Sequence, residues 1–296
     1  MPQHPEIILG ANCFELPSGY PQGLGPIELP DGRLICRPHG LTVCGYCCVD
    51  FNFDNEEFSE GSDDELEMDG PRRGSGRVFP TKFIPPSTTS TPRDLFGVGV
   101  GLTSTTGLHS RRFIRRDDPK QLLIYADGAC LGNGQANPKA GWAFVFKPSK
   151  DSPSGSGGFC SGRLENEGPF GHRAAQTSNR AELRAILAAL RFRVWYGEGF
   201  NKLVFATDSE YVAEGATSWL RLWIRNGWKT SGGDQVRNKD LWEALLGEVE
   251  HLSNKGLKIQ FWRIPRELNE VADGEAKRAA RGEDRGKYGS CYGVMC

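Results

Sequence analysis

The chain has 296 residues, with 36 Lys+Arg against 37 Asp+Glu and a formal net charge of −1, a length that suits one large domain or two small ones. Hydrophobic residues make up 38% and the chain carries 38 Gly and 18 Pro, which fits a compact unit with long polar attachments rather than a chain folded throughout. No apolar run approaches the roughly 18 residues of a bilayer span, and residues 1–10 lack the basic-then-apolar pattern of a secretory leader. An integral membrane protein is excluded, and an intracellular location, cytoplasmic or nuclear, is expected.

Residues 1–34 read as a tail. Residues 35–50 hold Cys36-x2-His39-x4-Cys44-x2-Cys47, four soft ligands at spacings usable by one tetrahedral Zn²⁺, with Cys48 as a spare. Nine cysteines, an odd number without a leader, point to a reducing compartment and so to metal rather than disulfides. The partner of this segment, protein or nucleic acid, is not legible. Residues 51–69 carry nine acidic and no basic residues, a block that repels itself and buries little. Residues 70–110 are rich in Gly, Pro, Ser and Thr, and Arg111, Arg112, Arg115 and Arg116 follow as a short basic patch. Together 51–119 read as a disordered linker.

Regular periodicity begins at residue 120. Residues 120–281 hold 23 basic and 18 acidic residues, a net of +5. Strands are predicted at 122–128 ("LLIYADG", ended by an Asp-Gly turn), 140–146 and 157–164. A helix follows from Ser178 as N-cap, with Leu183, Ile186, Leu187, Leu190 and Val194 at helical spacing. Next come a strand at 202–208, helices around 209–225 and 237–253, a strand at 258–264, and a helix from about Leu268 to Arg281. Three successive strands followed by βα units imply an α/β domain over 120–282 with a mixed sheet and packed helices; residues 283–296 read as a tail.

Acids recur at the ends of these elements. Asp127 ends the first strand, Glu182 lies in the first turn of the long helix, Asp208 ends the fourth strand and Asp273 opens the last helix. Singly, a strand-end Asp is more often a turn former and a first-turn Glu a complement to the helix dipole. Four convergent carboxylates would repel one another unless cations sat between them. Mg²⁺ is the expected ion, and a pair of them suits in-line phosphodiester displacement.

The blocks "YADGACLGNG", "QTSNRAEL", "ATDSEYV", "NGWKTSGG" with "RNKDLW", and "NEVADGEAK" resemble, in order and spacing, those of type 1 ribonuclease H, over about residues 120–281. The resemblance implies a ribonuclease-H-like mixed five-stranded sheet, its first three strands antiparallel, flanked by helices. It also implies a domain acting as a monomer that cuts the RNA strand of RNA–DNA hybrids. Carried over by motif, Asp127, Glu182, Asp208 and Asp273 are the metal-binding carboxylates, for two Mg²⁺ ions with Mn²⁺ as a substitute. Asn133 matches a position contacting the RNA 2′-hydroxyl, Asn179 one for minor-groove contacts, with main-chain groups near Cys130 and Ser209 assisting. Thr177 and Asn238 match a phosphate pocket, and Tyr211, Trp219, Trp223 and Ser231 the DNA channel. Arg221, Arg225 and Lys229, interleaved with tryptophans, resemble the family's basic protrusion; Trp228 and one of its two neighbours are expected to be structural.

Two departures stand out. The pocket's Arg position is Ala175, with Arg173 nearby. The segment before the last acid, "IPRELNEVAD", is short and lacks the His that many members carry; Arg266 or Glu267 are its nearest substitutes. These departures also fit an alternative reading, a weak or inactive hybrid-binding or adaptor protein.

Overall fold

The computed structural model describes residues 70–100, 111–148 and 158–293, and upstream the backbone of two short antiparallel ladders. Ile27–Glu28 pairs with Leu34–Ile35, and Val43–Cys44 with Val49–Asp50. Cys44 therefore lies on a strand, whereas Cys36, His39 and Cys47 fall outside the described residues, so the zinc expectation is left as a matter of spacing.

Eight strands share one sheet: β1 (Thr81–Lys82), β2 (Phe96–Val100), β3 (Arg111–Arg115), β4 (Gln121–Leu131), β5 (Lys139–Val145), β6 (Phe159–Arg163), β7 (Lys202–Thr207) and β8 (Lys258–Arg263). The path runs β6-β5-β4-β7-β8-β1. Pairing is antiparallel from β6 through β4 and parallel from β4 through β1. The expected five strands and their mixed order are all present. Strands β1, β2 and β3 are additional: β2 and β3 form a hairpin, and β3 meets β4 through Phe113↔Leu123 and Ile114↔Leu122.

The helices are α1 (Pro92–Leu95), α2 (Ser178–Phe192), α3 (Glu210–Glu214), α4 (Leu220–Arg225), α5 (Lys239–Asn254) and α6 (Glu270–Ala279). A π-helical turn at Gly215–Trp219 joins α3 to α4, with Leu220 N–H donating to the Gly215 carbonyl. The extra residue sits where a side chain is impossible: a Cβ on Gly215 would lie 2.6 Å from the Trp242 ring. Such one-turn widenings are uncommon and cluster near functional surfaces. Here Trp219 is its last residue, and Trp223 follows one turn on in α4.

Alternation along the central strands explains the layers. Leu122, Ile124, Leu203 and Phe205 point into the main core with α2 and α5. Their neighbours Leu123, Val204 and Ala206 point to the other face, where Phe83, Phe96, Trp262 and Ile264 meet them. Phe83 and Trp262 have ring centroids 4.9 Å apart. Both faces of β4 and β7 are thus dry, as parallel strands require. Helix α6 covers the remaining corner, with Ala276 against Ala129 and Ala143.

Two sequence-based boundaries are corrected by this packing. The described residues 70–100 and 111–119 are not a loose linker: Gly74 N–H donates to the Glu243 carbonyl, and Ser75 and Arg77 main-chain N–H groups donate to the Glu250 carboxylate. Within the basic patch, Arg112 is fully buried and forks onto Glu198 at 2.9 Å through two nitrogens. The described residues 283–293 are no tail either. Glu165 pairs with Arg184 in the interior, Arg184 also donates to the Gly289 carbonyl at 2.6 Å, and Cys291 is buried. Apolar and ionic groups of the domain need these segments as partners.

Candidate active site

Asp127 does not end its strand. Strand β4 runs on to Leu131, paired with β5 through Asp127↔Ala143 and Leu131↔Lys139. What ends near Asp127 is the pairing to β7, whose last partner is Tyr125. The Asp-Gly signal therefore marks a close approach, not a turn. A Cβ on Gly128 would lie 2.1 Å from the Glu182 nitrogen and 2.4 Å from the Ala181 carbonyl carbon. Gly128 lets α2 press its backbone onto β4 and brings Glu182 beside Asp127. The turn comes later, at Gly132 and Gly134, both with positive φ, and Asn133 is exposed between them.

The N-cap of α2 is Thr177, not Ser178: the Thr177 hydroxyl accepts from Arg180 N–H at 3.3 Å. Glu182 then falls beyond the first turn, which removes helix-dipole compensation as its reason for being there. Asp208 follows the last residue of β7, and Asp273 lies in the first turn of α6.

The other three acids each act electrostatically on Asp127. Burial raises the Asp127 pKa to about 8; Asp208, Glu182 and Asp273 push it the same way, against a Gly128 N–H donated at 2.7 Å. Burial also takes Glu182 to about 7, with the Asp208 charge adding and the Ser209 hydroxyl, donating at 2.5 Å, opposing. Asp273 differs. Its partial burial is outweighed by Lys277 at 2.5 Å and Arg266 at 2.8 Å, so its pKa falls below the usual carboxylate range. Two buried acids with raised pKa values thus face a third that is held ionised by two cations. Among the described residues no three His, Cys, Asp or Glu side chains close into a ready-made cage. The hard-oxygen donor set fits Mg²⁺.

The contact residues divide by what already engages them. The Ser209 hydroxyl serves Glu182 and also caps α3, accepting from Val212 N–H. The hydroxyl thus holds an acid in place. The Tyr211 hydroxyl donates to the Arg237 carbonyl and accepts from Trp242 Nε1 at 3.0 Å and Asn238 Nδ2 at 3.3 Å. Trp219, Trp223 and Trp242 follow one another at 5.8 and 5.5 Å between ring centroids, an aromatic chain from the protrusion to the interior. Trp223 and Trp228 pack on the core, as expected of two of the three. Asn179, Ser231, Arg173 and Ala175 are exposed. Sequence reasoning missed Asn269, whose side chain donates to Asp208 at 2.8 Å. Its place four residues before Asp273 is the signal that could have found it.

Gly128→Ala is expected to force α2 off β4. Overpacking of this kind costs about 1–3 kcal/mol, seen as a lower urea midpoint, and Mg²⁺ should raise the melting temperature of the variant less than that of the parent. An unchanged midpoint would mean the close approach is dispensable.

The family model described as RNase H matches residues 119–281. A ribonuclease H of Treponema pallidum is 38% identical over 165 residues, covering 54% of this chain and 90% of that protein. Human ribonuclease H1 is 34% identical over 160 residues, covering 54% of this chain and 49% of that one. The crystal structure of RNase H1 from the halophilic archaeon Halobacterium salinarum is 27% identical, covers 54% of this chain and 96% of that chain, and superposes with a TM-score of 0.32.

Proposed function

Because the chain belongs to the ribonuclease H family, we propose that it is an endoribonuclease hydrolysing the RNA strand of RNA–DNA hybrids. The observation that carries the reading is the gathering of Asp127, Glu182, Asp208 and Asp273 from four elements, with the charges of the other three acting on Asp127 in the direction its burial already takes it. Those four residues would hold two Mg²⁺ ions, or Mn²⁺. The ions would supply an activated water and stabilise the leaving 3′-oxygen, giving 5′-phosphate and 3′-hydroxyl ends.

The chain's own groups do the rest. Gly128 and Ser209 fix Glu182 against β4 and β7. Asn133 and Asn179, exposed on the β4–β5 turn and the first turn of α2, read the RNA minor groove, where the 2′-hydroxyl distinguishes RNA from DNA. Trp219 packs against the DNA strand with Arg221, Arg225 and Lys229 neutralising phosphates. Ser231 and Tyr211 line that path, and Thr177 and Asn238 form a phosphate pocket; Tyr211 and Asn238 are locked by their mutual hydrogen bond. The domain acts as a monomer inside the cell. The set Cys36, His39, Cys44 and Cys47 is retained as a zinc site on spacing alone; among the described residues no helix is long and apolar enough to cross a membrane.

A second reading, hybrid binding without cleavage, is favoured by the clamping of Asp273 by Arg266 and Lys277. One assay separates them. The full chain, given an end-labelled hybrid, should cut the RNA strand in Mg²⁺ and not in chelator, and Asp208→Asn should remove the cutting while hybrid binding persists. Equal cutting by Asp208→Asn would refute the proposed roles, and binding without cutting by the parent would establish the second reading.

A further inference from the structure

Asn269 is 1% exposed and stands where the chain enters α6. A side chain at a helix N-cap ordinarily accepts a hydrogen bond from the helix's first N–H groups. That of Asn269 does not. Its Nδ2 donates instead to Asp208 Oδ1 at 2.8 Å and to the carbonyl of Ala126 at 3.1 Å. Two acceptors facing one amide fix its orientation, since the flipped amide would set oxygen against oxygen. The Oδ1 left behind is buried without a partner, a costly state for a polar atom. The main chain of Asn269 adds a third tie, its carbonyl accepting from Asp273 N–H at 3.0 Å.

One residue therefore touches the carboxylate of Asp208, the peptide immediately before Asp127, and the first turn carrying Asp273. These three acids come from β7, β4 and α6, and repel one another when ionised. We propose that Asn269 is a positioning residue that sets the spacing of these carboxylates before ions arrive. Its N–H offsets part of the Asp208 charge and tethers it to the strand that bears Asp127. Local helix capping and hydrogen-bond satisfaction are given up in favour of this arrangement. The inference rests on the ribonuclease H reading for its activity readout, but its main readout is ion binding without substrate.

The test uses Asn269→Leu in the full chain, which keeps the branched shape and removes the donor. Loss of a group orienting metal ligands typically weakens affinity or activity by about 10–100-fold. Mg²⁺ titrated calorimetrically into the substrate-free variant should bind at least ~10-fold more weakly than into the parent. Its kcat should fall by a similar factor, while KM for the hybrid stays within about twofold, because a buried side chain touches no substrate. Should Asn269→Leu fail to fold, the same titration on Asn269→Ser applies, whose hydroxyl is too short to span both acceptors. Unchanged Mg²⁺ affinity in a folded variant, or a change confined to KM, overturns the proposal. A parent that binds Mg²⁺ without cutting hybrid defeats the ribonuclease reading alone; a parent that binds no Mg²⁺ defeats both.

Discussion

Asp127→Asn will abolish hydrolysis and, in the same molecule, stabilise the ion-free protein at pH 8. Removing one carboxylate from the ion-binding set forfeits several kcal/mol of transition-state stabilisation, on the order of a 10³-fold loss in kcat. The stability effect has the opposite sign. The folded-state pKa of Asp127 is raised from 3.8 to about 8, so the folded protein holds a proton that the unfolded chain releases near pH 4. Stability is then lost as pH rises from about 4 towards 8, and the whole penalty is present above 8. A shift of one pKa unit corresponds to roughly 1.4 kcal/mol; with water penetration reducing the effect, Asp127→Asn should gain on the order of 2–3 kcal/mol at pH 8–9 and almost nothing at pH 4. Chemical denaturation in chelator at both pH values reads this directly. The same shift makes Mg²⁺ uptake release protons, so parent activity should climb between pH 6 and 9. A variant no more stable than the parent at pH 8 would show that Asp127 is not buried among like charges.

The second large effect concerns the domain boundary. A fragment of residues 70–296 should unfold cooperatively, whereas residues 117–296 should melt at least ~10 °C lower than it and bind hydrophobic dye. The shorter fragment lacks Phe83 and Phe96, both almost wholly buried against Trp262, Val204 and Leu123. Removal of a buried aromatic costs about 3–5 kcal/mol, against a total stability of about 5–15 kcal/mol for a typical domain. It also strips Arg112 from Glu198. Equal melting temperatures for the two fragments would show that the second sheet face tolerates water.

Much of the architecture is legible in the sequence because its signals are periodic. Helix α2 repeats apolar residues every three or four positions, and the five core strands are short apolar runs bounded by breakers. The four acids are identifiable by the order of their blocks. The sequence reading overlooked what "LLIY" and "LVFA" imply when taken residue by residue. Apolar side chains at consecutive positions face both sides of a sheet, so a second cover is required. That cover comes from Phe83 and Phe96, isolated among Pro, Ser, Thr and Gly in a stretch whose composition mimics a linker. The misread Asp-Gly at 127–128 has a similar cause: a glycine needed for backbone contact between strand and helix is locally indistinguishable from one needed for a bend. Asn269 escaped because its role depends on partners 61 and 143 residues away.

The C-terminal turn of α2 receives both extremities of the described unit. Arg191 donates to the Gly70 carbonyl at 3.1 Å, and the next residue, Phe192, accepts from Gly293 N–H at 2.7 Å. Beginning and end therefore lie side by side, about 15 Å along the helix from Glu182 at 1.5 Å per residue. Such adjacency lends itself to circular permutation: a short peptide could join Gly293 to Gly70 with every acid left in its place.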